Sequence, residues 1–163
     1  PGFPKELEAI PLKGHFFDMI GIRTPDQAVF LADCVSSEKT LEKYQITFIY
    51  DVAEYLRTLD LVEEMKGEVF VPSHAEASSS VRELVQVNRS AVLAVAEKIQ
   101  TLLETPCTFE VLLQQIFRDY GLTMNFEQYV LIGSTVRSYL SWLKDQGKIT
   151  AVFENNLLLW SRC

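Results

Sequence analysis

Histidine, cysteine and positive charge are what this 163-residue chain has least of: two histidines, three cysteines, and 15 lysines and arginines against 22 aspartates and glutamates. Each shortage closes a class of function. Cys34, Cys107 and Cys163 are scattered, with no CxxC pair, which excludes a disulfide framework and a cysteine-rich zinc site and fits a reducing compartment, so the cytoplasm is expected. The formal net charge is −7. Residues 1–105 hold 10 basic and 17 acidic side chains, and residues 106–163 hold 5 of each. Nothing here supplies the lysines and arginines that neutralise phosphates, and nucleic acid is not an expected partner. No apolar run nears the roughly 20 residues of a membrane helix, and the start, PGFPKELEAI, lacks the basic-then-apolar layout of a signal peptide. A soluble chain is expected, and its non-methionine start is compatible with a processed or deliberately cut sequence.

What is present is ample apolar material, 48% of residues, enough for a real core. Residues 7–12 read as a short strand ending at Lys13-Gly14-His15. DMIGIR (18–23) and QAVFLA (27–32) then flank Thr24-Pro25-Asp26, where proline presets the turn's φ, so a β-hairpin is predicted. Residues 36–66 read as helical, most clearly through Val52, Tyr55, Leu56, Leu59 and Val62, with Gly67 as the stop. EVFVPSH (68–74) reads as a buried strand running into a loop, and strand–helix–strand order means an α/β layer. Ser80 and Glu83 form a capping box opening a long amphipathic helix through Leu84, Val87, Ala91, Val95, Ile99 and Leu102, stopped by Pro106.

Two further helices follow. Thr108 opens one (Val111, Leu112, Ile116, Phe117, Tyr120) that closes at Gly121, and Asn125 with Gln128 opens another (Tyr129, Val130, Val136, Tyr139, Leu140, Leu143) that closes at Gly147. KITAVF and LLLW around Glu154-Asn155-Asn156 make a small hairpin. Counting the long helix as the first, three helices and a two-stranded wing form a winged-helix layout.

An antiparallel hairpin places the residues before its first strand and after its second at one end. His15 and Asp33 should therefore be neighbours, with His74 at a later strand end. Two imidazoles and a carboxylate are donors that zinc or iron accepts. A histidine beside a hairpin also serves as a structural hydrogen-bonder, and Asp33 could be a turn or cap residue, so the constellation carries the metal reading and no single member does. Ser78-Ser79-Ser80 has no evident base and reads as a helix start. Arg137, with Ser134 and Thr135, sits where a recognition helix would meet phosphate, or where an added domain would meet an anionic substrate; a solvated helix-face arginine is the plainer reading. No catalytic residue is assigned.

The stretches KGHFFDMIGIRTPDQAVFLADC and EVFVPSHAE resemble the later metal-binding motifs of the metallo-β-lactamase-fold hydrolases. The tail QYVLIGSTVRSYLSWLKDQGKITAVFENNLLLW resembles the C-terminal extension of a bacterial branch of that superfamily. The resemblance implies an α/β fold class: half of an αββα sandwich over residues 1–105, then a mainly helical, winged-helix-like extension over 106–163, with the long helix 80–105 shared. It implies His15 as a ligand of one zinc, Asp33 as the bridge between two, and His74 as a ligand of the other.

The family's HxHxDH motif, source of most ligands, is absent, and two histidines leave no room for it. The chain thus resembles the second half of a zinc-dependent hydrolase in which metal-bound hydroxide attacks the substrate. Zinc in the chain alone is expected to be weak or absent, and the chain alone inactive. Its partners are then the missing HxHxDH-bearing half, as the rest of one protein or as a separate chain, and further copies of itself through an exposed sheet face. The alternative reading is a winged-helix interaction module binding nucleic acid or protein.

Overall fold

A computed structural model describes residues 6–163. The described residues divide into two compact units, 6–44 with 49–91 and 45–48 with 92–163, so the division falls within the long helix. The sequence reading had put the boundary near residue 105, with that helix shared.

In the first unit, strands β1 (Glu8–Pro11), β2 (Ile20–Arg23), β3 (Ala28–Ser36) and β4 (Val69–His74) form one sheet in the order β1-β2-β3-β4. The hairpin is as expected: β2 and β3 are antiparallel with Ile22 opposite Phe30 and Arg23 opposite Val29, and the turn closes through Gln27 N–H donating to Thr24 O at 2.9 Å. β4 returns parallel to β3, the arrangement a helical crossover produces. That crossover is two helices, α1 (Glu38–Tyr44) and α2 (Val52–Glu63), where the sequence periodicity had indicated one helical stretch. The interruption has local causes. Gln45 takes a left-handed φ of 60°, and Asp51 caps α2 by accepting from the Glu54 N–H at 3.0 Å, which fixes a new helix start at Val52.

Period-two alternation sorts the sheet's side chains. One face carries Ile10, Val29, Leu31 and Phe70, all buried, and α2 packs against β3 with Val52, Tyr55, Leu59 and Val62 buried. Each such side chain contributes about 1.5–3 kcal/mol by leaving water. The opposite face is also apolar and, among the described residues, is not covered. Ile20, Ile22, Phe30, Ala32, Val71 and Pro72 line a shallow groove there, with Ile20 45% and Phe30 44% exposed.

Helix α3 (Arg82–Leu102) starts two residues later than the proposed Ser80 cap, and the Ser80 N–H is bonded to Ser78 Oγ at 3.2 Å. Ser80 therefore belongs to the preceding loop and the capping box is not formed. The buried stripe of α3 and its two flanking residues is Val81, Val85, Asn88, Val92, Val95, Ala96, Ile99 and Leu103: Val95 and Ile99 are buried as expected, and the N-terminal half is turned by about one residue from the expected Leu84, Val87 and Ala91.

In the second unit, α4 (Phe109–Asp119) and α5 (Phe126–Asp145) begin at the expected caps, Thr108 and Asn125. Gly121 and Gly147 close them at φ of 63° and 66°. Strands β5 (Ile149–Glu154) and β6 (Leu157–Arg162) pair around Asn155 and Asn156, both at positive φ, the turn that matches strand twist. Val111 and Val130, placed on the core faces by periodicity, are 42% and 45% exposed.

Gly14 shows why a glycine precedes His15. Its φ is 115°, and a Cβ there would lie 2.2 Å from the Tyr55 backbone nitrogen and 2.3 Å from its Cα. The first turn of α2 rests directly on the glycine. Gly14→Ala should lower stability by more than about 2 kcal/mol, from left-handed strain and backbone overlap together. A urea midpoint equal to that of the parent chain would contradict this close approach.

Candidate metal centre

The three residues picked out in the sequence converge. His15 Nε2 lies 3.7 Å from Asp33 Oδ2, and His74 Nε2 lies 3.5 Å from Asp33 Oδ1. The hairpin brings His15 to the end of β3, and the parallel pairing sets His74 opposite Ser36, with Ser37 N–H donating to His74 O at 2.9 Å. Side-chain exposures of 25% for His15, 39% for Asp33 and 49% for His74 leave the cluster open to solvent.

Asp33 is aimed by an irregularity. The β3–β4 register shifts on both sides of Ala32, which holds a left-handed φ of 48°. A bulge re-aims the side chain beside it, and an alanine in that region carries about 1–3 kcal/mol of strain. Sequence reasoning missed Ala32, since only glycine or asparagine would have advertised a positive φ.

The loop bearing His15 is held on several sides. Tyr50 N–H donates to Gly14 O at 2.9 Å, Asp51 N–H to the same oxygen at 3.0 Å, and Thr58 Oγ1 to Lys13 O at 2.6 Å. The rings of Phe16, Phe17 and Tyr50 pack together with centroids 4.5–6.1 Å apart.

Donor types and spacing can be compared with a zinc ion. Two ligands on a tetrahedral ion with bonds of ~2.0–2.1 Å lie about 3.3 Å apart, close to both nitrogen–oxygen separations. Each imidazole faces a different carboxylate oxygen, which makes two nitrogen–oxygen pairs. Among the described residues, no group of three or more His, Cys, Asp or Glu side chains is arranged to hold a metal ion. The arrangement is two half-sites, each with one nitrogen and one oxygen: the donor chemistry fits zinc, and the donor number is short by one or two per ion.

Cys34, next to Asp33, is buried. Burial pushes its thiol up from 9.0 to about 12; a backbone hydrogen bond opposes this and the Asp33 charge adds to it. Arg137 lies in the second unit, on exposed surface of α5, with its guanidinium carbon 3.6 Å from the Phe109 ring centroid, a cation–π contact.

Neither a scan against protein-family models nor a search of curated proteins finds a match. Solved structures do match. A metallo-β-lactamase family protein from Thermus thermophilus superposes with a TM-score of 0.74 at 14% identity, covering 96% of this chain and 49% of its own. A β-lactamase domain protein from Burkholderia ambifaria gives 0.76 at 16% identity, covering 96% of this chain and 48% of its own. The chain has the fold of about half the length of these metallo-β-lactamase-type proteins.

The buried thiol predicts a pH dependence. Folded Cys34 keeps its proton where the unfolded thiol, at 9.0, has lost it; this contribution to stability is complete below pH 9 and declines as pH rises towards about 12. Urea midpoints should fall between pH 8.5 and 10.5, and less steeply in Cys34→Ala. Equal slopes for the two proteins would show that Cys34 is not the group responsible.

Proposed function

We propose that the chain is the C-terminal portion of a zinc-dependent metallo-β-lactamase-like hydrolase, and that His15, Asp33 and His74 are its share of a two-metal site. The observation that carries this reading is the division of the Asp33 carboxylate, one oxygen towards each histidine. A carboxylate so placed is suited to bridge two ions, with His15 on one and His74 on the other. In the complete protein, zinc would supply a bound water acidic enough to attack at neutral pH. This chain's residues hold and space the ions, and the remaining donors come from the HxHxDH-bearing half.

Two features support a missing half. The sheet is apolar on both faces and covered on one, whereas strands apolar on both sides belong to sheets buried on both sides. The chain also spans about half the length of the proteins it superposes on. Without that half, the groove over Ile20, Phe30 and Val71 is the surface through which copies of the chain associate. The second unit serves as the winged-helix-like extension, with Arg137 the candidate contact for an anionic substrate. Three free thiols, two of them buried, favour the cytoplasm.

A second reading, a winged-helix module that docks protein, is favoured by one observation: Phe126 and Phe153 are 79% and 77% exposed. Aromatic exposure without a basic excess fits a protein partner better than nucleic acid.

Zinc titration followed through the imidazole NMR signals tests the bridge. The parent chain should take up two ions weakly, with dissociation constants above about 1 μM, a binding free energy weaker than about 8 kcal/mol. His15→Ala should lose one ion, His74→Ala the other, and Asp33→Ala both. One tight ion lost equally in all three variants would refute the two-half-site arrangement. Addition of an HxHxDH-bearing half should tighten zinc and disperse the self-associated chain, as read by light scattering; a chain that is monomeric alone would refute the exposed face as an interface.

A further inference from the structure

Asn88 is polar and yet 1% exposed, in a helix stripe otherwise made of valine, alanine, isoleucine and leucine. Its amide is fully engaged. Oδ1 accepts from the Ser36 N–H at 3.0 Å and from the Tyr55 hydroxyl at 3.3 Å, while Nδ2 donates to Ser36 O at 2.7 Å and Leu84 O at 2.8 Å. Paired with both backbone groups of one residue, the amide does for the end of β3 what a neighbouring strand would do. That end has need of it: β2 pairs with β3 only at Val29 and Phe30, and the β3–β4 register is broken between Ala32 and Ser36.

All three candidate ligands hang from this node. Asp33 lies inside the irregular segment that Asn88 pins at Ser36. His74 is opposite Ser36, and its carbonyl accepts from the Ser37 N–H. The Tyr55 whose hydroxyl reaches Asn88 is the residue whose backbone lies against Gly14, next to His15. A hydrogen-bonded amide buried in apolar surroundings is rigid and directional, and leaving any of its partners unmet is costly.

We propose that Asn88, with Tyr55, is the positioning residue of this site: it makes no contact with metal or substrate and sets the spacing of His15, Asp33 and His74 through the backbone. The inference rests on the metal reading above for its purpose and on the hydrogen bonds alone for its mechanism, so the test has two readouts. Amide hydrogen exchange at Ser36 and Ser37 reads the clamp. Zinc-induced shifts of the two imidazoles, with zinc chloride as the probe, read its consequence for the site.

In Asn88→Ala, exchange at both amides should accelerate at least tenfold, and the imidazoles should need at least tenfold more zinc to respond. Tyr55→Phe, which removes one hydroxyl, should move both readouts the same way by about threefold and guards against failure of the alanine variant to fold. Leu143→Ala, buried in the second unit, supplies a general loss of stability and should leave both unchanged relative to its lowered midpoint. Unchanged Ser36 exchange in Asn88→Ala, or equal effects in Leu143→Ala, would overturn the proposal. Faster exchange with unchanged zinc response would overturn the positioning role. Faster exchange in a chain whose parent shows no zinc response would instead sink the metal reading and leave the clamp standing.

Discussion

A sheet that is oily on both sides and roofed on one is the constraint from which the rest of this chain follows. On the covered side, where α2 packs against β3, Val29, Leu31 and Phe70 are shut off from water, and that burial holds the strands in register. On the other side, Ile20, Phe30 and Val71 stay in contact with solvent. An isolated domain has no physical reason to place leucine-like surface on both sides of four strands, since each exposed large side chain forfeits about 1.5–3 kcal/mol of available burial. On the proposed reading, the pattern is that of one layer of a larger body.

The half-sites obey the same logic. A hairpin and a parallel return bring two imidazoles to one carboxylate, and the bulge at Ala32 turns that carboxylate so that its two oxygens face different ways. Two donors per ion are too few for tight zinc, which takes three or four protein ligands. The half proposed above would supply both a cover for the exposed face and the further ligands. In the positioning role proposed for it, the buried amide of Asn88 holds the spacing of His15, Asp33 and His74 through the backbone at Ser36.

Much of this was legible in the residues, for reasons that can be named. Thr24-Pro25-Asp26 specifies a tight turn whatever surrounds it, and so it places His15 beside Asp33. Thr108, Asn125, Gly121, Gly147 and the Asn155-Asn156 pair act through local backbone chemistry, and each is found doing so. The failures occur where a local cap or distant packing overrides periodicity. The stretch 36–66 breaks because Asp51 caps a new helix, and α3 turns by a residue because Val81 and Val85 are drawn into the core. Ala32 gives no sign of its positive φ. Asn88 did carry a signal, an amide in the middle of an apolar stripe, and reading the stripe one residue off its true phase hid it.

The account stands or falls on where metal goes. Anomalous diffraction at the zinc edge, from crystals of the chain soaked in zinc chloride, locates the ions directly. Two peaks are expected, one between His15 and Asp33 Oδ2 and one between His74 and Asp33 Oδ1. A single peak shared by all three side chains, or zinc bound only elsewhere on the protein, would contradict it.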